Sequence, residues 1–141
     1  MTNRQLAEIV RKQVPLMLPR TASMQDACRC MQERKVGAVL VTDSKGRLVG
    51  IFTGRDLVHA LALAREPAET QIKDVMTKNP ITLSPGHTAI DALRIMHDGG
   101  FRHVPVVETD GRVVGIVSRG DFRGLEHDRL DEETGLWERI L

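Results

Sequence analysis

Two short turns in this sequence set a hydroxyl three residues ahead of a carboxylate: Thr53-Gly54-Arg55-Asp56 and Ser118-Arg119-Gly120-Asp121. Each follows an apolar run, "VGIF" at 49–52 and "VGIV" at 114–117, so each reads as a strand end passing into a helical turn. A helix start offers unpaired N–H groups and the positive end of a dipole, which seat a phosphate, and a Ser or Thr hydroxyl adds a donor. An aspartate beside it can accept from both hydroxyls of a ribose. Arg55 and Arg119 flank these acids and could oppose phosphate charge. The same spacing is also a capping box, in which the acid serves only the backbone donors of its own helix. The roles are compatible, since one turn can cap a helix and still hold a nucleotide.

The elements that must carry these turns are duplicated. Displacing the sequence by 65 residues aligns 10–56 with 75–121 without a gap, with identities at Val10/Val75, Pro15/Pro80, Asp26/Asp91, Val39/Val104, Gly46/Gly111, Gly50/Gly115 and Asp56/Asp121. In each copy a proline opens a candidate strand, "PLML" or "PITL". Ser23-x-x-Asp26 and Thr88-x-x-Asp91 then read as capping boxes, and Ala89, Ala92, Leu93 and Met96 give the second copy's helix one apolar face. Two β-rich runs follow, "AVLVT" and "LVGIFT" around "DSKG", "HVPVV" and "VVGIVS" around "ETDG", which predicts hairpins. "LVHALALAR" after Asp56 predicts a further helix, stopped in "REPAET"; Gly124 interrupts its counterpart.

Each copy is therefore βαββα, roughly sixty residues, and buries too little surface to be comfortable alone. The expected fold is α+β (α/β): two repeats packed through their sheets about an approximate two-fold axis, with clefts at the sheet interface and short helices at both termini. The expected organisation is an N-terminal helix within 1–13, repeat domains at 10–66 and 75–126, a linker at 67–74, and a tail or helix at 127–141. Leu6, Ile9 and Val10 stripe the first helix; Leu136, Trp137, Ile140 and Leu141 stripe the last, where Trp suggests a homodimer contact.

Composition excludes several classes. A net charge of +1, no Tyr, one Trp and three Phe argue against nucleic acid as a main partner. No apolar run reaches the length of a membrane span, and "MTNRQLAEIV" lacks the apolar core of a signal peptide. Cys28 and Cys30 read as reduced thiols of a cytoplasmic protein. The five histidines show no paired ligand spacing, so no metal is expected. Met24, Met31, Met76 and Met96 read as core filler. No nucleophile with a base and no glycine-rich phosphate loop is present, so the protein is not expected to be an enzyme or to require a cofactor.

"GAVLVTDSKGRLVGIFTGRDL" and "FRHVPVVETDGRVVGIVSRGDF" resemble the cores of the two cystathionine β-synthase (CBS) domains of a tandem pair, or Bateman module. The resemblance covers about positions 10 to 125, and "DVMTKNPITLSP" is similar to the family's lead-in to its second domain. The resemblance implies an adenosine-containing effector (AMP, ADP, ATP or S-adenosylmethionine) in clefts between the domains. Carried over residue by residue, Asp56 and Asp121 would hold ribose hydroxyls, and Thr53 and Ser118 would contact phosphate or ribose. Arg102, His103, Val104 and Pro105 would line the base pocket and phosphate path, with Thr82 approaching the base. The first copy has Gly37-Ala38-Val39-Leu40 where the second has Arg102-His103-Val104-Pro105, which implies unequal clefts. The expected function is a stand-alone, energy-sensing regulatory module that signals to a protein target. The alternative is a ligand-free scaffold or oligomerisation module whose Thr/Ser-x-x-Asp turns only cap helices.

Overall fold

A computed structural model describes residues 3–122. The first repeat builds a four-stranded sheet in the order β1 (Met17–Pro19), β2 (Ala38–Thr42), β3 (Leu48–Thr53) and β4 (Thr77–Lys78). β1 runs parallel to β2, and the other neighbours are antiparallel. The second repeat contributes an antiparallel pair, β5 (His103–Val107) and β6 (Val113–Ser118). The hairpin registers set Ala38 opposite Thr53 and His103 opposite Ser118, so each hydroxyl turn lies beside a strand start.

Helix α4 (Ala89–Gly99) buries the apolar face read in the sequence, and α2 (Met24–Arg34) buries Met24, Ala27 and Met31. The box opening α4 is complete: the Thr88 amide donates to Asp91 Oδ2 at 2.9 Å, and the Asp91 amide donates to Thr88 Oγ1 at 3.3 Å. The one opening α2 is half formed. The Asp26 amide donates to Ser23 Oγ at 3.0 Å, but the Asp26 carboxylate pairs with Arg29 at 3.4 Å. Helix α3 (Gly54–Ala62) follows β3 directly. "PITL" does not become a full strand as expected: Leu83 forms a single parallel bridge to Val106. The chain turns away at once, because His87 donates its amide to the Ser84 carbonyl at 3.1 Å and its Nδ1 accepts from the Ser84 amide at 3.0 Å.

Each repeat's lead-in crosses into the other repeat's core, which the gap-free alignment does not reveal. Helix α1 (Leu6–Val10) has five residues, too short to persist alone. It is held by Leu6 and Val10, both buried among Ile90, Leu93, Val104 and Val117 of the second repeat. The 3-10 turn Ile72–Asp74 precedes the second repeat, yet Ile72, Val75 and Met76 pack with Met24, Val39 and Phe52 of the first. Two repeated glycines make room for these crossings. A Cβ on Gly50 would lie 2.5 Å from Met76 Sδ and 2.9 Å from the Thr77 carbonyl; one on Gly115 would lie 2.6 Å from Val10 Cβ.

The sheets meet through Ala38, Leu40 and Ile51, against which Leu48, Val113 and Ile116 pack. The hairpin tips are tied across the axis: Leu48 donates its amide to the Gly111 carbonyl at 2.9 Å, and Val113 donates to that of Gly46 at 3.1 Å. After Ser118 the chain makes the 3-10 turn Arg119–Asp121. The tail at 127–141, with its stripe of Leu136, Trp137, Ile140 and Leu141, lies outside the described residues.

Candidate functional site

Two clefts open between the repeats, of about 540 Å³ and 450 Å³, both within the roughly 300–1,000 Å³ that small-molecule sites occupy. The first is lined by the turn Thr53-Gly54-Arg55-Asp56, by Thr77 and Asn79-Pro80-Ile81 of the second lead-in, and by Phe101, Arg102 and His103. The second is lined by Ser118 and Asp121, by Gln13-Val14-Pro15-Leu16 of the first lead-in, and by the end of α2 with Ala38. These linings are related by the 65-residue repeat: Asn79, Pro80 and Ile81 correspond to Val14, Pro15 and Leu16, and Arg102 and His103 to Gly37 and Ala38. Each cleft thus faces one repeat's hydroxyl turn with the other repeat's strand start.

In the first cleft the turn is a complete capping box. Asp56 Oδ2 accepts from the Thr53 amide at 2.9 Å and Thr53 Oγ1 at 3.2 Å, and the Asp56 amide donates to Thr53 Oγ1 at 3.4 Å. Asp56 Oδ1 accepts from Thr77 Oγ1 at 3.0 Å, a bond between the repeats' segments that sequence reading missed. A carboxylate has about four lone-pair positions. Two of the three donors here are hydroxyls that can rotate, so Asp56 retains the capacity to accept from a ligand. In the second cleft Asp121 Oδ2 accepts from the Ser118 amide at 2.7 Å and from Ser118 Oγ at 3.2 Å.

His103 and Gly37 line both clefts. A Cβ on Gly37 would lie 3.4 Å from His103 Cε1, so the imidazole and the glycine backbone stand side by side as a shared partition. Burial holds the His103 imidazole below its ordinary value; the Arg102 cation pushes the same way, and the Asp121 carboxylate opposes both. Burial also pushes the Cys28 thiol up, the setting of a packed cysteine rather than a nucleophile.

Of the residues singled out in the sequence, the first cleft gathers Thr53, Arg55, Asp56, Arg102 and His103, and the second Ala38, His103, Ser118 and Asp121. Thr82, Val104, Pro105 and Arg119 line neither. Val104 is fully buried in the second core, as strand alternation requires of the residue after His103. Pro105 is buried, its carbonyl accepting from the Leu83 amide at 3.1 Å. Ile81 takes the cleft position in place of Thr82. Arg119 donates its amide to the Arg102 carbonyl at 3.1 Å. The basic side chains missing at positions 37 and 38 have counterparts elsewhere, because Arg34 and Lys35 at the end of α2 line the second cleft. Gly99 and Gly100 hold the corresponding positions in the second repeat, a complementarity visible by reading the aligned copies for charge instead of identity.

The family model for the CBS domain matches this chain twice, at residues 6–63 and 72–128. The chain belongs to the CBS-domain family. A CBS domain-containing protein of Arabidopsis thaliana is 41% identical over 103 residues, 72% of this chain, which spans only 18% of that relative's length. Among solved structures, the CBS domain protein PAE2072 from Pyrobaculum aerophilum, complexed with AMP, superposes with a TM-score of 0.82 at 25% identity, over 91% of this chain and 98% of that one. The CBS domain pair of protein MJ0100, in complex with 5'-methylthioadenosine and S-adenosyl-L-methionine, superposes with a TM-score of 0.75 at 27% identity, over 92% and 96%. Among the described residues of this CBS pair, no helix is long and apolar enough to cross a membrane. Nor does any group of three or more His, Cys, Asp or Glu among them suit a metal ion.

Proposed function

We propose that this CBS pair is a non-catalytic regulatory module that binds adenine nucleotides or S-adenosylmethionine-type ligands in its clefts and signals occupancy to a protein target in the cytoplasm. The observation that carries this reading is the pairing, in each cleft, of one repeat's hydroxyl-x-x-Asp turn with the other repeat's strand start. In the first cleft Asp56 accepts from ribose, Arg55 and Arg102 face phosphate, and Ile51, Ile81 and Phe101 offer apolar surface to a base. Thr53 and His103 complete that site; Ser118, Asp121 and Ala38 belong to the second. The AMP, methylthioadenosine and S-adenosylmethionine bound by the two structural neighbours support an adenosyl ligand.

Adenine is preferred to guanine in this reading. A base set beside lead-in backbone meets carbonyl and N–H groups, to which adenine offers an amino donor next to a ring acceptor. Guanine reverses that pattern and leaves buried groups mispaired. Calorimetry should show AMP binding more tightly than GMP, and ligand at 100 times Kd should add about 2.7 kcal/mol of stability. Equal affinity removes the adenine preference, and the absence of any thermal shift removes the sensor. That second outcome favours the scaffold reading, which has its own support: the Thr53–Asp56 box is complete without a ligand. Homodimerisation is part of the proposal, with Val58, Leu61 and Leu63 exposed at and just beyond α3, and light scattering at micromolar concentration checks it.

A further inference from the structure

In the first repeat the free side of β3 is covered by backbone: Gly50 pairs with Lys78 and Ile51 with Thr77 in β4. Among the described residues, β6 of the second repeat has only β5 as a strand partner. The first lead-in reaches β6 instead, and a side chain makes the bond. Gln13 Oε1 accepts from the Ile116 amide at 3.0 Å, in a partly buried contact. Gly115 admits it, since a Cβ there would stand 2.7 Å from that oxygen. The chain is fixed behind it, with the Gln13 amide donating to the Val10 carbonyl at 3.0 Å.

A carboxamide has one acceptor oxygen and two N–H donors on its nitrogen. The backbone N–H of Ile116 takes one lone pair of that oxygen and fixes the carboxamide's orientation, which sets both N–H donors on its other side. Gln13 also lines the second cleft, together with Ser118 and Asp121. The position corresponding to Gln13 in the second repeat is Lys78, which does not line the first cleft. The clefts therefore differ by a neutral, backbone-anchored donor. A donor of this kind reads the position of an acceptor atom; Arg34, whose guanidinium donates to the Val14 carbonyl, and Lys35 add positive charge to the same cleft.

We propose that Gln13 is a ligand-contacting, specificity-determining residue of the second cleft, its NH2 group donating to an acceptor atom of the bound nucleotide, a purine ring nitrogen or a phosphate oxygen. This rests on the nucleotide reading of the clefts. The test is calorimetry with AMP and with adenosine, on the wild-type protein and on an Asp56→Asn background that weakens the first cleft. Gln13→Glu keeps an oxygen for the Ile116 N–H and replaces the NH2 with a second, charged acceptor. It should weaken AMP binding at the second cleft about tenfold or more, with first-cleft affinity and melting temperature close to wild type. In Gln13→Met, which introduces no charge to repel phosphate, a larger loss for AMP than for adenosine assigns the acceptor to phosphate, and equal losses assign it to the ring. Gln13→Met, which can neither accept nor donate in that way, should lose second-cleft affinity and also melt earlier. Unchanged second-cleft affinity in either variant overturns the proposal and leaves Gln13 a strut for β6; Gln13→Met alone decides if Gln13→Glu fails to fold. AMP binding at the first cleft only overturns it as well, and binding at neither cleft removes the nucleotide reading itself.

Discussion

Asp56 is both a cap and a ligand candidate, and the two roles separate by substitution. Asn can turn its carbonyl to the Thr53 amide and its NH2 to Thr77 Oγ1, replacing the bonds that Asp56 makes at 2.9 Å and 3.0 Å. Asp56→Asn should therefore melt near wild type while losing about tenfold in nucleotide affinity, roughly 1.4 kcal/mol, because the charge that strengthens ribose hydrogen bonds is gone. Asp56→Ala should cost about 0.5–2 kcal/mol of ligand-free stability as well. Denaturation and calorimetry on both variants measure the two effects independently. His103 gives a pH test. Its folded value lies below the ordinary 6.5, so on acidification the unfolded chain takes up a proton that the folded state resists. The stability from neutral His103 is complete above about pH 6.5 and is lost as the pH falls from there through the folded value. Melting temperature should drop between pH 7 and pH 5, and less steeply in His103→Gln. Identical pH profiles would assign the acid sensitivity to other groups.

At the scale of elements, the crossed lead-ins decide which substitutions reach which cleft. Gly115→Ala would place Cβ 2.6 Å from Val10 Cβ and 2.7 Å from Gln13 Oε1, so α1 must move off β6. Overpacking of this kind costs about 1–3 kcal/mol. Urea unfolding should report that loss, and nucleotide binding should weaken more at the second cleft, whose wall contains Gln13 and Val14. At Gly50 two of the three nearest atoms belong to flexible Met76, but the third is the Thr77 backbone carbonyl at 2.9 Å, so Gly50→Ala should also lose stability, by pressing on β4. Wild-type stability of Gly115→Ala would argue against a tightly seated α1. The hydroxyl turns themselves are fixed by hairpin register, which sets Thr53 opposite Ala38 and Ser118 opposite His103.

At the scale of the molecule, the two clefts share the wall made by Gly37 and His103. The backbone at Gly37 does not demand glycine by a positive φ, so a larger residue acts there through the space it fills. Gly37→Val should press on His103 and weaken binding at both clefts severalfold, whereas Arg102→Ala should act on the first cleft alone. Two-site calorimetry distinguishes these patterns, and a Gly37→Val protein with one cleft unaffected would show that the partition is not shared.

Local sequence determined what local physics controls. The hairpins with positive-φ Gly46 and Gly111, the helix faces and the Thr53–Asp56 box are set by residues within a few positions of one another, and the duplication is read directly from the match at a 65-residue displacement. The same locality limits what local sequence can place. Val104 and Pro105 look like neighbours of His103 in the sequence, but alternation turns Val104 into the second core, and Pro105, on the His103 side of the strand, is buried. The single bridge at Leu83 depended on the Ser84–His87 turn that follows it. Tertiary structure alone decided the crossings, the Thr77–Asp56 bond, the Gln13 contact with β6 and the placement of Arg34 and Lys35 in the second cleft. A repeat aligned to itself shows which residues correspond; only packing between the copies shows which ones meet, because burying two small sheets against each other places each lead-in against the other repeat's strand.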